Sequence, residues 1–110
     1  MTNPLITIVD DSEDLFLLAP GSSMDQHHPH MEGIARACSK VGLCTWRFQF
    51  EYRAEGKPFP PKDLNVTISE YKQALEAASN AFPEHRIHLG GHSYGARIAT
   101  HLAAHLLDQA

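Results

Sequence analysis

The sequence has no excess of positive charge and no long apolar run, and each absence excludes a class of partner. Its 110 residues hold 9 Lys and Arg against 13 Asp and Glu, which gives a formal net charge of −4 at pH 7. Because proteins that bind nucleic acid need a basic surface for the phosphates, we expect no nucleic-acid partner. No apolar stretch approaches the roughly 20 residues that a membrane-crossing helix needs, so we expect no membrane partner.

Cysteine is scarce, and basic residues are missing from the start of the chain. The first twenty residues contain no Lys or Arg, whereas a secretory signal peptide begins with a basic segment. The two cysteines, Cys38 and Cys44, are predicted to lie on a helix and on the following strand as reduced, partly buried thiols. Together these features predict a cytoplasmic protein.

What the chain does contain is the pattern of one α/β domain that spans residues 1–110. A hydrophobic fraction of 43% supports a folded core, and the length suits a single domain. After the first strand, strands and helices alternate, which predicts a three-layer sandwich with a mostly parallel sheet. The predicted strands are 5–9, 15–19, 43–50 and 85–90, and the predicted helices are 29–41, 67–82 and 94–107.

Two local patterns complete this prediction. Residues 51–63 contain several prolines and a glycine and are predicted to form a loop. The run Thr67-Ile68-Ser69-Glu70 has the form of a capping box and predicts that the second helix begins there.

The most specific motif is Gly91-His92-Ser93-Tyr94-Gly95, which has the G-x-S-x-G form of a nucleophile elbow. A predicted strand precedes it and a predicted helix follows, as this motif requires. Such a turn holds its serine in a strained conformation at the top of the sheet. Active groups gather at the carboxyl ends of parallel strands, so we expect the loop 20–25 to lie beside Ser93. A P-loop is disfavoured because Ala96-Arg97 stands where that motif requires Lys and Ser or Thr.

Several segments resemble the α/β-hydrolase superfamily and are most similar to its small dienelactone-hydrolase-like branch. They are Leu17-Leu18-Ala19-Pro20-Gly21-Ser22, Met24-Asp25, residues 42–48 and residues 90–97. The resemblance implies hydrolysis of an ester or similar small-molecule acyl substrate through an acyl-serine intermediate. It implies no cofactor and no metal.

The resemblance also implies roles for individual residues. Ser93 matches the nucleophile, and the backbone N–H of Tyr94 matches one donor of the oxyanion hole. A second N–H would come from Ser22 or Ser23. In this loop Ala19-Pro20-Gly21 stands where the family usually has His-Gly.

No general base for Ser93 is evident in the sequence. The superfamily places an acid and then a His after the serine, and here only His101, His105 and Asp108 follow. At about 1.5 Å per residue, His101 lies roughly 12 Å along the predicted helix, beyond the ~3 Å reach of a hydrogen bond. We therefore expect the N-terminal, truncated portion of a hydrolase that is inactive alone. The alternative is a non-catalytic, hydrolase-like domain that binds or scaffolds.

A histidine cluster offers a second candidate site. His27, His28 and His30 lie close to Asp25 in sequence, and two or three imidazoles can ligate a transition metal. Since no Cys or Glu completes a recognised metal spacing, we favour a solvated loop before a helix.

The sheet edge and the last helix predict self-association. We expect the strand 86–89 to pair with the strand 15–19 and to leave its outer edge open, and open edges pair with other chains. We also expect an apolar face of the last helix to stay partly uncovered. This face comprises Ala99, Leu102, Ala103 and Leu106.

Overall fold

One four-stranded sheet with helices packed against it forms the computed structural model, which describes residues 2–109. The strands are β1 (Leu5–Thr7), β2 (Asp14–Ala19), β3 (Cys44–Arg47) and β4 (Arg86–Gly91). The helices are α1 (Pro29–Lys40), α2 (Glu51–Ala54), α3 (Leu64–Ala81) and α4 (Tyr94–Asp108). The strand order is β1-β3-β2-β4. β2 pairs in parallel with β3 and β4, and β1 pairs antiparallel with β3, so the predicted α/β fold with a mostly parallel sheet is confirmed.

The central strand β2 is covered on both faces. Leu15, Leu17 and Ala19 belong to the core that α3 and α4 close on one side. Leu18 alternates with them and is buried as well, on the side where α1 packs against β3. A parallel strand that is buried on both faces has a continuous run of apolar residues in its sequence. This is why the sequence pattern predicted β2 correctly.

Helix α3 begins three residues earlier than the capping-box pattern predicts, at Leu64. The carboxylate of Asp63 caps it by accepting a hydrogen bond from the N–H of Asn65 at 3.0 Å. Thr67 is buried within the helix, and its hydroxyl oxygen lies 2.7 Å from the hydroxyl oxygen of Tyr94. The capping-box prediction is wrong because Asp63 supplies an earlier cap and the Thr67 hydroxyl serves a tertiary contact.

Two strands are shorter than predicted, and the predicted loop contains a helix. β1 ends at Thr7, and β3 covers Cys44–Arg47 instead of residues 43–50. Phe48 and Phe50 are nevertheless buried. The apolar pattern therefore predicted correctly that these residues belong to the core, although they lie beyond the end of the strand. The loop prediction for residues 51–63 is wrong at Glu51–Ala54, where α2 makes a single turn. One turn is marginal without tertiary packing, and Tyr52, only 4% exposed, supplies that packing.

Both cysteines are free and buried, on α1 and β3 as predicted. Burial raises the pKa of the Cys38 thiol above its ordinary value. In the part of the chain that the structure describes, no helix has the length and apolarity needed to cross a membrane. The cytoplasmic location stays a prediction.

Strand β4 lies beside β2 and at one edge of the sheet, as predicted. The expected uncovered face of α4 is only partly present. Ala99 is 4% exposed and Leu102 is 1% exposed, because α3 packs against α4, so the expectation is wrong for these two residues. Ala103 and Leu106 are half-buried. Self-association through the β4 edge stays a prediction.

The side chain of Asp14 links the start of β2 to the edge strand β4. Its carboxylate accepts hydrogen bonds from the Arg86 guanidinium at 2.9 and 3.0 Å, and the His88 Nε2 atom lies 2.8 Å from the same carboxylate. The hydrogen bonds to Arg86 and His88 hold the pKa of Asp14 well below its ordinary value of 3.8.

Asp14→Asn is therefore expected to lower the melting temperature near neutral pH and to have a smaller effect in acid. Because the pKa of Asp14 is lower in the folded than in the unfolded state, the ionised carboxylate contributes stability above the unfolded pKa. This contribution is lost as the pH falls below 3.8 through the folded pKa. Thermal unfolding at about pH 7 and about pH 3 measures the difference. Glu13→Gln is the matched control, since that carboxylate meets Arg86 only at 3.5 Å and is exposed. An equal effect of Asp14→Asn at both pH values would contradict this account.

Candidate active site

Ser93 lies in a strained turn between β4 and α4. Its φ is 51° and its ψ is −111°, and within residues 2–109 Asp11 is the only other non-glycine residue with positive φ. Such a conformation costs about 1–3 kcal/mol and persists only where the surrounding structure imposes it. The N–H of Gly95 donates to the His92 carbonyl at 3.0 Å, and the N–H of Arg97 donates to the Ser93 carbonyl at 3.1 Å. The predicted strand–turn–helix arrangement is confirmed.

The side chain of Ser93 is exposed and makes no capping hydrogen bond to α4. Serine at a helix start ordinarily uses its hydroxyl to cap the first turn. The hydroxyl of Ser93 therefore departs from this ordinary capping role. The role of Ser93 as nucleophile stays a prediction at this point.

Gly91 and Gly95 are required because the turn packs closely against the end of β2. A Cβ atom on Gly91 would lie 2.8 Å from the carbonyl carbon of Gly95. A Cβ atom on Gly95 would overlap the carbonyl group of Ala19 and lie 2.6 Å from the carbonyl oxygen of Pro20. The N–H of His92 donates to the Ala19 carbonyl at 3.0 Å and fixes this approach. Both glycines of the motif therefore serve one contact between the elbow and β2.

The loop that follows β2 lies beside the elbow, as predicted. A Cβ atom on Gly21 would lie 3.2 Å from the Nδ1 atom of His92. The N–H of Met24 donates to the Gly21 carbonyl at 3.1 Å, which closes a tight turn containing Ser22 and Ser23.

Three backbone N–H groups at this place are candidate oxyanion donors. Within residues 2–109, the backbone hydrogen bonds of turns, loops and caps include none donated by Ser22 or Ser23. The N–H of Tyr94 belongs to the first turn of α4 and has no acceptor within the helix. N–H groups fixed in this way can stabilise the oxyanion of an acyl-transfer reaction. The structure thus brings the predicted residues Ser22, Ser23, Ser93 and Tyr94 to the same end of the sheet.

No histidine or carboxylate between residues 2 and 109 hydrogen-bonds to the hydroxyl of Ser93. His101 and His105 lie on α4, at least two helical turns beyond the elbow. His88 lies in the middle of β4, where its ring bonds the carboxylate of Asp14. The lack of a general base for Ser93 stays a prediction.

The histidines before α1 include a helix cap. The Nδ1 atom of His28 accepts a hydrogen bond from the N–H of His30 at 3.1 Å, and His28 is the N-cap residue of α1. The rings of His30 and His92 lie 5.4 Å apart, centre to centre. Across residues 2–109 there is no group of three or more His, Cys, Asp or Glu side chains placed to hold a metal ion. The capping bond favours the interpretation of this segment as a loop leading into a helix.

Tyr71 on α3 connects β2 and the edge strand β4 beneath the elbow. Its fully buried hydroxyl lies 2.8 Å from the Leu17 carbonyl and 2.7 Å from the Gly90 carbonyl, and it accepts the Gly90 N–H at 2.8 Å. Burial raises the pKa of Tyr71, so the hydroxyl keeps its proton at neutral pH. The helical spacing placed Tyr71 on the buried face, but no sequence signal indicated these distant partners.

Tyr52 on α2 supports the loop that carries the candidate oxyanion donors. Its hydroxyl donates a hydrogen bond to the carbonyl of Ser22. Burial raises the pKa of Tyr52 to about 12, so this hydroxyl also remains a donor at neutral pH. Sequence reasoning missed this residue because residues 51–63 were predicted to be a loop.

Comparison with solved structures shows similar folds. An alpha-beta serine hydrolase homologue from Coxiella burnetii matches with a TM-score of 0.75 and 24% identity, over 91% of this chain and 50% of that chain. Est1E from Butyrivibrio proteoclasticus, solved with ferulic acid bound, matches with a TM-score of 0.72 and 15% identity, over 96% of this chain and 44% of that chain. The chain thus spans about half the length of these structures. At these identities the likeness shows the fold alone.

Comparison with curated proteins gives no match. A family model described as an alpha/beta hydrolase domain matches residues 12–110, which is most of the sequence. The match covers the central strands, the elbow and the helix that follows it. The chain therefore belongs to the α/β-hydrolase domain family.

Proposed function

We propose that this protein is a serine hydrolase that cleaves an ester or similar acyl substrate through an acyl-serine intermediate. The observation that carries the proposal is the conformation of Ser93, a non-glycine residue at φ 51° whose exposed hydroxyl makes no cap. Strain of this kind is a hallmark of functional turns. Membership of the α/β-hydrolase domain family supports hydrolytic chemistry.

In the proposed reaction the Ser93 hydroxyl oxygen bonds to the acyl carbon, and the carbonyl electron pair moves onto its oxygen. The N–H of Tyr94 and the N–H of Ser22 or Ser23 donate hydrogen bonds to this oxyanion. Collapse of the tetrahedral intermediate expels the alcohol and leaves the acyl group on Ser93, from which water releases the acid. A general base, which the proposal places outside residues 2–109, takes the Ser93 proton and gives it to the leaving alcohol. The same base then takes a proton from the attacking water and returns it to Ser93.

The proposed substrate is a small-molecule ester, handled in the cytoplasm without a cofactor. This choice rests on the similarity of residues 17–22 and 90–97 to the dienelactone-hydrolase-like branch. The alternative, a non-catalytic binding or scaffold domain, is supported by the absence, within residues 2–109, of a base bonded to Ser93. The two proposals differ in whether Ser93 ever forms a bond to substrate.

Ser93→Ala is expected to reduce kcat/KM for p-nitrophenyl acetate by about 10³-fold or more in the protein as its gene encodes it, because the nucleophile is removed. Ser79→Ala replaces an exposed serine on α3 and is the matched control, with no expected change. Residues 1–110 alone are expected to hydrolyse the ester no faster than their own Ser93→Ala variant. Hydrolysis that survives Ser93→Ala would contradict the nucleophile assignment. No hydrolysis by the gene-encoded protein would favour the non-catalytic alternative.

A further inference from the structure

We infer that Tyr52 is a positioning residue for the oxyanion hole, because its hydroxyl holds the Ser22 carbonyl and thereby aims the loop N–H groups at the Ser93 site. The inference rests on the proposed function. Its starting point is the hydrogen bond from the Tyr52 hydroxyl to the Ser22 carbonyl, which joins α2 to the loop after β2.

Two hydrogen bonds set the orientation of the two peptide groups that carry the candidate donors. In a trans peptide the C=O and the N–H point in opposite directions. Tyr52 binds the Ser22 carbonyl, so the N–H of Ser23 is turned away from Tyr52. Met24 binds the Gly21 carbonyl at 3.1 Å, so the N–H of Ser22 is turned out of the tight turn. Both donors are thus oriented before a substrate arrives, which is the condition for strong oxyanion stabilisation.

Tyr52 is itself held firmly. The side chain is 4% exposed, and its ring stacks on the ring of Phe50 with a centroid distance of 6.2 Å and an interplanar angle of 17°. Phe50 is fully buried and meets the ring of Tyr94 edge to face at 5.8 Å. The Tyr94 hydroxyl is in turn 2.7 Å from the hydroxyl of Thr67 on α3. Tyr52, Phe50 and Tyr94, the first residue of α4, therefore form one aromatic cluster.

This cluster adds support to a loop that has few hydrogen bonds of its own. The loop here contains Pro20-Gly21, and one backbone hydrogen bond, from Met24 to Gly21, closes its turn. The phenol of Tyr52 adds a second anchor at Ser22, from a helix 30 residues further along the chain. Removing the hydroxyl while keeping the ring separates this anchor from the packing of α2.

Tyr52→Phe makes that separation and is expected to lower kcat for p-nitrophenyl acetate by about 10- to 100-fold, with KM changed by less than about 2-fold, because the oxyanion forms only after the ground state. Phenylboronic acid, which forms a tetrahedral adduct on a serine nucleophile, is expected to bind more weakly by a similar factor. Ser39→Ala is the matched control, since it also removes a hydroxyl bonded to a backbone carbonyl, at 3.0 Å on α1. The control is expected to change neither quantity.

Amide NMR of the same proteins tests the loop independently of activity. The Ser22 and Ser23 resonances are expected to shift or broaden in Tyr52→Phe and to stay in place in Ser39→Ala. Unchanged Ser22 and Ser23 resonances, or an unchanged kcat in an active protein, would overturn the inference. If the unsubstituted protein hydrolyses no ester, the proposed function fails, and the resonances still decide whether Tyr52 fixes the loop.

Discussion

Gly95→Ala is expected to lower the free energy of unfolding by about 3 kcal/mol, at the upper end of what an added core methyl costs. The new Cβ atom would overlap the carbonyl of Ala19 and lie 2.6 Å from the carbonyl oxygen of Pro20. Both obstacles are backbone atoms, so no change of side-chain rotamer relieves the overlap. The elbow must move away from the end of β2, and this loosens the contact that holds Ser93 in its strained turn.

The same substitution at Gly33 is the matched control, and its expected effect has the opposite sign. A Cβ atom on Gly33 meets nothing within 4 Å, and this residue lies inside α1. Alanine in a helix interior is favoured over glycine by about 0.5–1 kcal/mol, so Gly33→Ala is expected to stabilise the protein by that amount. Urea unfolding of both variants measures the two values. Equal losses at both positions, or no loss at Gly95, would contradict the close approach of the elbow to β2.

Tyr71→Phe is expected to lower the free energy of unfolding by about 2–3 kcal/mol. The substitution keeps the ring but removes a hydroxyl that meets the Leu17 carbonyl and both the carbonyl and the N–H of Gly90. The hydroxyl has one proton, so it donates to one of the two carbonyls at a time and accepts the N–H of Gly90. Its removal leaves that N–H and one backbone carbonyl without this partner, at a cost of about 1–3 kcal/mol for a group left unsatisfied.

Hydrogen exchange identifies the origin of this loss. In Tyr71→Phe the amide of Gly90 is expected to lose protection more than the amides of α1. The control is Thr100→Ala, which removes a hydroxyl bonded to the Ala96 carbonyl on an exposed helix face. Its expected cost is about 1 kcal/mol or less, since water replaces the lost partner. A loss of stability for Tyr71→Phe no larger than that of the control would show that the hydrogen bonds of the Tyr71 hydroxyl contribute little to the free energy of unfolding.

The features that the sequence predicts well are those whose causes are local or periodic. Residues 15–19 of β2 form a continuous apolar run, and α4 follows a turn whose glycines lie at fixed spacing from Ser93. The motif is specific because the turn packs so closely against Ala19 that neither Gly91 nor Gly95 has room for a Cβ atom. A motif with such a steric cause predicts the local structure even when the contacting residue is distant in the sequence.

The features that the sequence does not predict depend on partners distant in the chain. α2 has only four residues, too few for a helical period, and its reason to form is the burial of Tyr52 against Phe50. Thr67 looks like a helix cap in sequence, but its hydroxyl contacts Tyr94, 27 residues away. The supports of the candidate oxyanion loop therefore became visible only in three dimensions.

Covalent labelling tests the central claim, that Ser93 is the nucleophile of a serine hydrolase, most directly. The gene-encoded protein is treated with a fluorophosphonate, digested, and examined by mass spectrometry for the modified residue. The account predicts one phosphonylated site at Ser93, which is lost in Ser93→Ala and after unfolding and is retained in Ser79→Ala. A folded protein that carries no label, or carries it at a different residue, would contradict the account.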